Sequence, residues 1–297
     1  MFSSIKGNYM KKFALIGGAG FVAPRHMKAI KDTGNEIVAI LDPHDSVGII
    51  DSYFPDSSFF TEFERFDRHL EKLKRSGNGV DFISICSPNY LHDAHCRLSL
   101  RLGADAICEK PLVLNPWNLD QLQEIENETG KKIYSVLQLR LHDDLIKLKQ
   151  NMNDDIHDVH IKYITPRGKW YGRSWKGDVT KSGGLATNIG IHLFDMVLWL
   201  FGKCEDLSVL KNEPDCVSGV IGLERALVTF KLSTRRDDLP NGYRSFRSIE
   251  IDDIPLTLDK SFINLHTEVY KNILDGKGFG VDDARPSIEL TYKIRSF

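Results

Sequence analysis

The sequence contains few cysteines, and they form no recognisable metal-binding or disulfide motif. Five cysteines, at positions 86, 96, 108, 204 and 216, are spread over 297 residues without a C-x-x-C pair. This odd number and wide spacing argue against a zinc module and against a disulfide framework. Cys86 and Cys108 lie in apolar, strand-like runs, where free thiols are usually buried. We therefore expect free cysteines, no metal centre and a reducing, cytoplasmic compartment.

A strong net charge and a long apolar run are also lacking. The net charge of −2 argues against nucleic acid or an anionic membrane as a partner. No apolar run reaches the roughly 18 residues that span a bilayer, and residues 1–9 lack the apolar core of a signal peptide. We expect residues 1–9, which are polar, to form a disordered extension. The rest of the chain is expected to be globular, because 41% of all residues are hydrophobic and 27% are charged.

Residues 10–137 alternate short β-branched runs with longer helix-like stretches. The first strand is predicted at 13–16, the first helix at 23–33 and the second strand at 37–41. Strands that alternate with helices form right-handed βαβ units, and these build a parallel sheet with helices on both faces. The pattern predicts an α/β fold that begins with a doubly wound, Rossmann-type domain.

The pattern changes after about residue 137. A long apolar helix is predicted at 185–201, after an irregular basic and aromatic stretch at 165–181. Several strands then follow one another with few helices between them, which is typical of an antiparallel sheet. We therefore expect residues 138–297 to form an α+β domain with an open, largely antiparallel sheet that binds substrate and carries subunit contacts.

A glycine-rich turn joins the first predicted strand to the first predicted helix. Gly17 and Gly20 belong to this turn, and Phe21 and Val22 follow it. Glycine lets the backbone turn tightly and approach a pyrophosphate, whose charge is favoured at a helix N-terminus. Such a turn is often merely a turn, so dinucleotide binding needs further support from the sequence.

Asp42, at the end of the second predicted strand, supplies that support. An acid at this position accepts hydrogen bonds from a ribose diol and repels a 2′-phosphate. No Arg or Lys occurs between Asp42 and Ser52 to hold such a phosphate. The sequence therefore favours NAD over NADP, although Asp42 also suits a simple role as the first residue of an Asp-Pro turn.

Polar residues follow the ends of two later predicted strands, where ligands collect in open α/β sheets. These further candidates for the cofactor site are Ser87, Asn89, His92, Glu109 and Lys110. Ser87 and Asn89 also suit capping of the next helix, and we expect both roles together.

Lys110, His192 and Asn188 are the candidate catalytic residues. Oxidation of an alcohol requires a group that stabilises the developing alkoxide and a group that takes the proton. Lysine suits the first task and histidine, which titrates near neutrality, suits the second. Asn188 and Asp195 are expected to share one face of the predicted helix with His192. The alternative is that His192 is a packed helix residue and Lys110 a solvated loop charge.

Basic and aromatic residues are concentrated just ahead of that helix. Basic groups bind a diphosphate or a carboxylate, and aromatic rings stack on a base. The candidates for binding an anionic substrate in this stretch are Arg167, Lys169, Trp170, Tyr171, Ser174, Trp175 and Lys176. Arg140, Asn188 and Asp195 are further candidates outside it. The alternative is an exposed loop or a subunit contact.

These motifs together resemble the glucose–fructose oxidoreductase / inositol dehydrogenase family. The residues that carry the resemblance are the glycine turn, the run Ser87 to His92, Glu109-Lys110-Pro111, and Gly183-Gly184 followed by His192 and Asp195. The resemblance implies NAD as cofactor, Lys110 as the active-site lysine with a cis proline after it, and His192 as the catalytic histidine. Asn188 stands where many members have aspartate, which leaves open which group takes the alcohol's proton.

Within the family, runs such as Arg167 to Tyr171 and Ser174 to Asp178 resemble the nucleotide-sugar 3-dehydrogenases of bacterial O-antigen and other surface-polysaccharide synthesis. This similarity implies oxidation of the 3-hydroxyl of a UDP-N-acetylglucosaminuronate-type sugar, reoxidation of NADH by 2-oxoglutarate in some relatives, and a downstream aminotransferase. It also implies a homo-oligomer, either a dimer or a tetramer. Three alternatives remain open: an NAD-assisted glycosidase, another sugar or polyol dehydrogenase, and a non-catalytic NAD-binding regulator.

Overall fold

The structure is a computed structural model that describes residues 9–257 and 264–297. The extension predicted at residues 1–9 therefore lies outside the described residues, except for Tyr9, which is exposed.

The first sheet contains six parallel strands among the described residues, in the order β3-β2-β1-β4-β5-β6. The strands are β1 (Lys12–Ile16), β2 (Glu36–Leu41), β3 (Ser58–Phe60), β4 (Phe82–Ile85), β5 (Asp105–Cys108) and β6 (Ile133–Ser135). The predicted Rossmann-type domain is confirmed. The edge strand β3 was not predicted, because three half-buried residues are too few to show a strand pattern.

Helices cover both faces of this sheet. The helices that follow its strands are α1 (Ala23–Asp32), α2 (Phe63–Arg75), α3 (His92–Arg101) and α4 (Trp117–Thr129). Helix α1 begins directly after the glycine turn, with Pro24 in its first turn, where a missing N–H has no cost. Single 3-10 turns at Gly48–Ser52, Asn89–Leu91 and Gln138–Leu141 connect other elements.

The second sheet is mixed and largely antiparallel, in the order β12-β11-β7-β10-β9-β8. Its strands are β7 (His157–Ile164), β8 (Cys204–Glu213), β9 (Cys216–Leu223), β10 (Ala226–Ser233), β11 (Phe246–Ile251) and β12 (Ile254–Pro255). Within this sheet, among the described strands, β7 and β10 are the one pair that runs parallel. The predicted α+β domain with an open, largely antiparallel sheet is confirmed.

The helices of the second half differ from the prediction in two places. They are α5 (Asp143–Asn151), α6 (Lys169–Arg173), α7 (Val179–Ser182), α8 (Ile191–Phe201), α9 (Leu265–Leu274) and α10 (Val281–Arg295). The stretch predicted to be irregular contains α6, α7 and a 3-10 turn, because Ser174 and Asp178 cap short helical segments. The helix predicted at 185–201 is α-helical only from Ile191, and Ala186–Gly190 forms a π-helical turn.

Helix α8 forms the core of the second half. Phe194 of α8 packs edge-to-face on Phe230 of β10, with 5.1 Å between ring centroids. The continuous helical stretch Val179–Phe201 has the length and mean hydropathy of a membrane span, although the sequence analysis found no such run. Because 78% of its most apolar window is buried inside the protein, its apolarity is explained by packing in the core.

The last two helices contact the first half of the chain. Val269 and Ile273 of α9 join the apolar cluster of α1 on one face of the first sheet. Helix α10 contacts both halves, with Ile288 in the cluster on the other face of that sheet and Leu290 in the core around α8. The predicted division of the chain near residue 137 stays a prediction. All five cysteines are free, and Cys204 is only partly buried, so the prediction of free thiols is confirmed.

A buried ion pair joins the 3-10 turn Gln138–Leu141 to α8 and α10. The Arg140 guanidinium donates to both carboxylate oxygens of Asp195, at 3.0 and 2.7 Å, and to the carboxylate and the carbonyl oxygen of Asp283. Burial raises the pKa of Asp195, against the lowering effect of Arg140. Because these donors are used inside the protein, Arg140 has a structural role here. Asp195 also lines a cavity with Lys110 and His192, so substrate binding by these two residues stays a prediction.

We predict that Asp195→Asn lowers the free energy of unfolding by about 3 kcal/mol, because it leaves a buried guanidinium without its main counter-charge. The measurement is a denaturant titration at neutral pH. Asp283→Asn is the matched control, with an expected loss of about 1 kcal/mol or less, since that carboxylate is partly exposed. Unchanged stability together with weaker substrate binding in Asp195→Asn would contradict the structural role.

Candidate active site

The glycine turn is held close to the end of β4. The amide N–H groups of Gly17 and Gly18 donate to the carbonyl oxygen of Leu41, at 2.7 and 3.2 Å. Gly17 has φ +91°, and a Cβ at this position would lie 2.6 Å from the carbonyl carbon of Cys86. No other residue fits this turn without strain. The turn leaves the N-terminus of α1 ready to accept an anion, as the predicted dinucleotide site requires.

The other residues of the turn lie at the same sheet edge. Phe21 is 83% exposed and stacks against Arg25, while Val22 precedes the first residue of α1. Asp42 is buried, and its carboxylate accepts from the backbone N–H groups of Ala19, at 2.9 Å, and His44, at 2.9 Å. Asp42 therefore fixes the glycine turn to the end of β2, and it does more than begin an Asp-Pro turn.

Ser87, Asn89 and His92 connect neighbouring segments at the ends of β4 and β5. The Ser87 hydroxyl pairs with His95, and no side-chain cap is formed by Ser87 or Asn89 on the following helix. His92 is buried, with Nδ1 2.7 Å from the Pro111 carbonyl oxygen and Nε2 2.8 Å from that of Ser87. The capping role predicted for Ser87 and Asn89 is therefore wrong. His92 connects the Lys110–Pro111 segment, whose peptide bond is cis, to the end of β4.

Lys110 and His192 meet in one cavity. Its walls include Lys110 from the end of β5, Leu137 after β6, and Ile191 and His192 from α8. The Lys110 side chain is 21% exposed, with its ammonium 3.9 Å from the Glu109 carboxylate. The structure therefore brings together the two residues that the sequence analysis selected for catalysis, although 81 positions separate them. A reacting hydroxyl in this cavity would face both a cation and an imidazole.

His192 is held in its neutral form. Burial, the nearby Lys110 charge and Arg247 lower its pKa to about 3, against a small raising effect of Glu109. Its Nδ1 is buried without a hydrogen-bond partner among the described residues, and its ring lies edge-to-face with Tyr163. A neutral imidazole has a nitrogen that can accept a proton, and the same burial and Lys110 charge make His192 a weaker base than an exposed histidine.

Asn188 lies in the π-helical turn, so the predicted common face of Asn188, His192 and Asp195 is not formed by a regular helix. Its amide donates to the Tyr171 hydroxyl, at 2.9 Å, and its carbonyl oxygen accepts from Asn89, at 3.3 Å. Asn89 also donates to the carbonyl oxygen of Ser182. A π-helical turn is common at functional sites, and here it connects the first sheet to the basic and aromatic segment.

The basic and aromatic segment contacts the π-helical turn through Tyr171, which accepts from Asn188. Trp170 is 54% exposed and packs edge-to-face on Tyr171. The Lys176 ammonium lies 5.5 Å from the Trp170 ring and 5.6 Å from the Trp175 ring. Arg167 and Lys169 are exposed, and the Ser174 hydroxyl is used to cap the turn that carries Trp175. The segment thus presents cations and ring faces, whereas Ser174 has a structural role.

Glu109 has a different environment from the one predicted. It is buried, and its Oε1 accepts from Nε2 of His26, at 2.9 Å, and Nε2 of His266, at 3.1 Å. The geometry does not support a cofactor contact for Glu109. No role was predicted from the sequence for His26, His266 or Tyr270. The available signal was the spacing of His266 and Tyr270, which are one helical turn apart and so share one face of α9. The three ligand atoms of His26, Glu109 and His266 lie within 4.8 Å, but hydrogen bonds already pair them.

The fold and the cavity define a class of protein: a dinucleotide-dependent oxidoreductase in which helix α8, packed on the second sheet, contributes to the active site. Residues 11–137 match the family model described as oxidoreductase family, NAD-binding Rossmann fold, and residues 147–216 match the model of its C-terminal alpha/beta domain. The chain belongs to this GFO/IDH/MocA oxidoreductase family, as its motifs indicated.

Solved structures with similar sequences support this assignment. The chain is 47% identical to the WlbA (WbpB) dehydrogenase from Thermus thermophilus in complex with NAD and alpha-ketoglutarate, with a TM-score of 0.94 over 97% of this chain and 96% of that chain. A second structure of that dehydrogenase, in complex with NAD and UDP-GlcNAcA, has a TM-score of 0.93 over 97% and 95% of the two chains, also at 47% identity.

Curated relatives match over shorter segments. The D-glucoside 3-dehydrogenase of Escherichia coli is 25% identical over 41% of this chain and 36% of its own length. The chain also spans less than half of the next three relatives, between 41% and 49% of their lengths. These relatives support the family assignment.

We predict that Gly17→Ala weakens NAD binding about 100-fold, because the new methyl group would press on the backbone at Cys86 and displace the turn. The measurement is calorimetric titration with NAD. Gly34→Ala is the matched control, since Gly34 also has a positive φ, +74°, but nothing lies within 4 Å of its added Cβ. Equal NAD affinity in the two variants would contradict a role of the close approach in binding.

We predict that kcat/KM shows no loss of activity through the usual titration range of histidine, from about pH 8 down to about pH 5. The pKa of His192 is lowered to about 3, so its neutral form dominates throughout this range. The initial rate is measured against pH, and nitrogen NMR of the ring follows its charge, with His192→Gln to assign the signal. A titration of His192 near its ordinary pKa would contradict the prediction.

Proposed function

We propose that the protein oxidises the 3-hydroxyl of a UDP-N-acetylglucosaminuronate-type nucleotide sugar to a ketone, with NAD as the oxidant. The observation that carries the proposal is the cavity in which Lys110 and His192 face one another, behind the Gly17 turn. Support for the substrate comes from the 47% identical dehydrogenase that was solved with NAD and UDP-GlcNAcA.

The residues at the carboxyl ends of the strands fit NAD. Gly17 and Gly20 let the backbone approach a pyrophosphate at the start of α1. Phe21, Val22 and Asp42 line the same turn, with Asp42 placed to accept from a ribose diol after it releases a backbone N–H. Bound NAD supplies the hydride acceptor for the sugar carbon. The side chains of the protein orient the substrate and remove the proton.

Lys110 and His192 have different roles in the reaction. The Lys110 ammonium donates to the oxygen of the reacting hydroxyl and stabilises the negative charge that develops there. His192 is neutral and takes the proton. Asn188 cannot stabilise an imidazolium by charge, so we assign it to holding Tyr171 and a sugar hydroxyl. This division is a proposal for the base that the sequence left open.

The basic and aromatic segment suits the nucleotide part of the substrate. Arg167, Lys169 and Lys176 provide positive charge for a diphosphate or a uronate carboxylate. Trp170 is exposed, so its ring face is available for stacking on a base. The segment is joined to the π-helical turn before α8 by the hydrogen bond from Asn188 to Tyr171. An uncharged sugar or polyol would use none of these cations, which is why we favour a nucleotide sugar.

We further propose that 2-oxoglutarate reoxidises the bound NADH, with support from the related structure that holds NAD and alpha-ketoglutarate. A ketone at C3 is the substrate of an aminotransferase, so we place such an enzyme downstream, in synthesis of a cytoplasmic precursor for a surface polysaccharide such as O-antigen. We also propose a homo-oligomer, dimer or tetramer. Leu210 of β8 and Leu227 of β10 support it, because both are large, exposed apolar residues on the second sheet.

The decisive experiment measures NADH formation with UDP-N-acetylglucosaminuronate. We predict that Lys110→Met lowers kcat by about 100-fold or more, because the developing oxyanion loses its cation, while NAD still binds. Lys72→Met is the matched control, an exposed lysine on α2, and should keep the full rate. Structural identification of the product by NMR shows which hydroxyl was oxidised.

Other outcomes select the alternative functions. Turnover of free inositol or glucose in place of the nucleotide sugar would indicate another sugar or polyol dehydrogenase. Release of a free sugar without net NADH would indicate an NAD-assisted glycosidase. A biological effect that survives both Lys110→Met and His192→Gln would indicate a non-catalytic NAD-binding regulator.

A further inference from the structure

A chain of buried hydrogen bonds leads to Lys110 from the opposite side of the sheet end. The Ser84 hydroxyl is 2.6 Å from the Tyr270 hydroxyl, and the Tyr270 hydroxyl is 2.8 Å from Nδ1 of His26. Nε2 of His26 and Nε2 of His266 both contact Oε1 of Glu109. The other carboxylate oxygen of Glu109 lies 3.9 Å from the Lys110 ammonium. All members except Lys110 are buried.

Only one arrangement of protons satisfies this chain when Glu109 is ionised. A carboxylate accepts only, so both histidines must donate to it through Nε2–H. Burial lowers the pKa of His26, so its ring is neutral and Nδ1 must accept from the Tyr270 hydroxyl. The Tyr270 oxygen then accepts from Ser84. Each of these donors then has an acceptor, which is the requirement for a buried polar network to be stable.

The network overcomes the cost of burying a carboxylate. Burial opposes the charged form of Glu109, but the hydrogen bonds from His26 and His266, followed by the charge of Lys110, hold its pKa well below the usual range. Burial also lowers the pKa of the neighbouring His92 and His192. It raises the pKa of the other neighbours, Cys86, Cys108 and Tyr270. The Glu109 carboxylate lies 3.9 Å from the Lys110 ammonium.

We propose that His26, His266 and Tyr270 are positioning residues that keep Glu109 ionised and fixed beside the Lys110 ammonium at the site of hydride transfer. The inference rests on the proposed oxidation of a sugar hydroxyl at Lys110. It assigns the stabilisation of the alkoxide to Lys110 and leaves proton removal to the neutral His192.

The same three residues, His26, Glu109 and His266, also resemble a set of metal ligands. The hydrogen-bond reading is preferred because His26 has a donor on one ring nitrogen and an acceptor on the other, so its tautomer is fixed without an ion. Elemental analysis of the purified protein separates the two readings. A stoichiometric, tightly held metal that is lost in His266→Leu would overturn the proposal.

The test compares His266→Leu, which removes the donor, with His266→Gln, which keeps an N–H donor. Loss of the donor favours the protonated form of buried Glu109, so kcat of His266→Leu should gain a dependence on pH and fall as the pH is lowered, by about tenfold near pH 6. The KM for NAD should change little, and His266→Gln should restore most of the flat profile. Tyr270→Phe should shift the profile in the same direction by a smaller amount.

A second measurement does not depend on turnover. Infrared difference spectroscopy detects the carbonyl stretch of a protonated carboxyl group. His266→Leu should show this band at neutral pH, His266→Gln should not, and Glu109→Gln identifies it by abolishing it. If the wild-type enzyme oxidises no nucleotide sugar, the proposed function fails whatever the spectra show. If the wild type is active and His266→Leu has a flat pH profile and no carboxyl band, the positioning role fails and the proposed function stands.

Discussion

The buried carboxylate of Glu109 is the constraint on which the candidate active site depends. An unpaired charge inside a protein is very unfavourable, so a carboxylate there must be surrounded by donors. Its donors come from α1 and α9, and its nearest cation is Lys110, next to it in the chain. One charge at the end of β5 thus requires the first helix, a C-terminal helix and the catalytic lysine to be in place together.

The same region shows why α9 belongs to the first sheet, although it lies far along the chain. Tyr270 is fully buried beside Phe13 and His26, where its hydroxyl completes the hydrogen bonds of His26. Without α9, Glu109 would lose the donor from His266 and the partner of His26. On the other side of the cavity, the Arg140–Asp195 pair fixes α8, which carries His192. Two buried charge systems therefore hold Lys110 and His192 opposite one another.

Much of the fold was accessible from the sequence. The period of the apolar residues separated a Rossmann-type half from a largely antiparallel half, because strands of a doubly wound sheet and strands of an open sheet have different neighbours along the chain. Gly17, Lys110 and His192 were found because each lies in a local pattern that restricts the residue type. Arg140, Asp195 and Glu109 were assigned to ligands because the local sequence around a charged residue gives no sign of the partner that the fold brings to it.

The sequence by itself determined the fold class, the turn that receives a dinucleotide and the two residues that face each other in the cavity, since these depend on short-range geometry and hydrophobic periodicity. The tertiary structure decided the electrostatics. Whether a carboxylate binds a ligand or another part of the protein depends on groups that are distant in the chain, as His266 is from Glu109. The neutral state of His192 was decided in the same way, because burial and the Lys110 charge that lower its pKa exist only after folding.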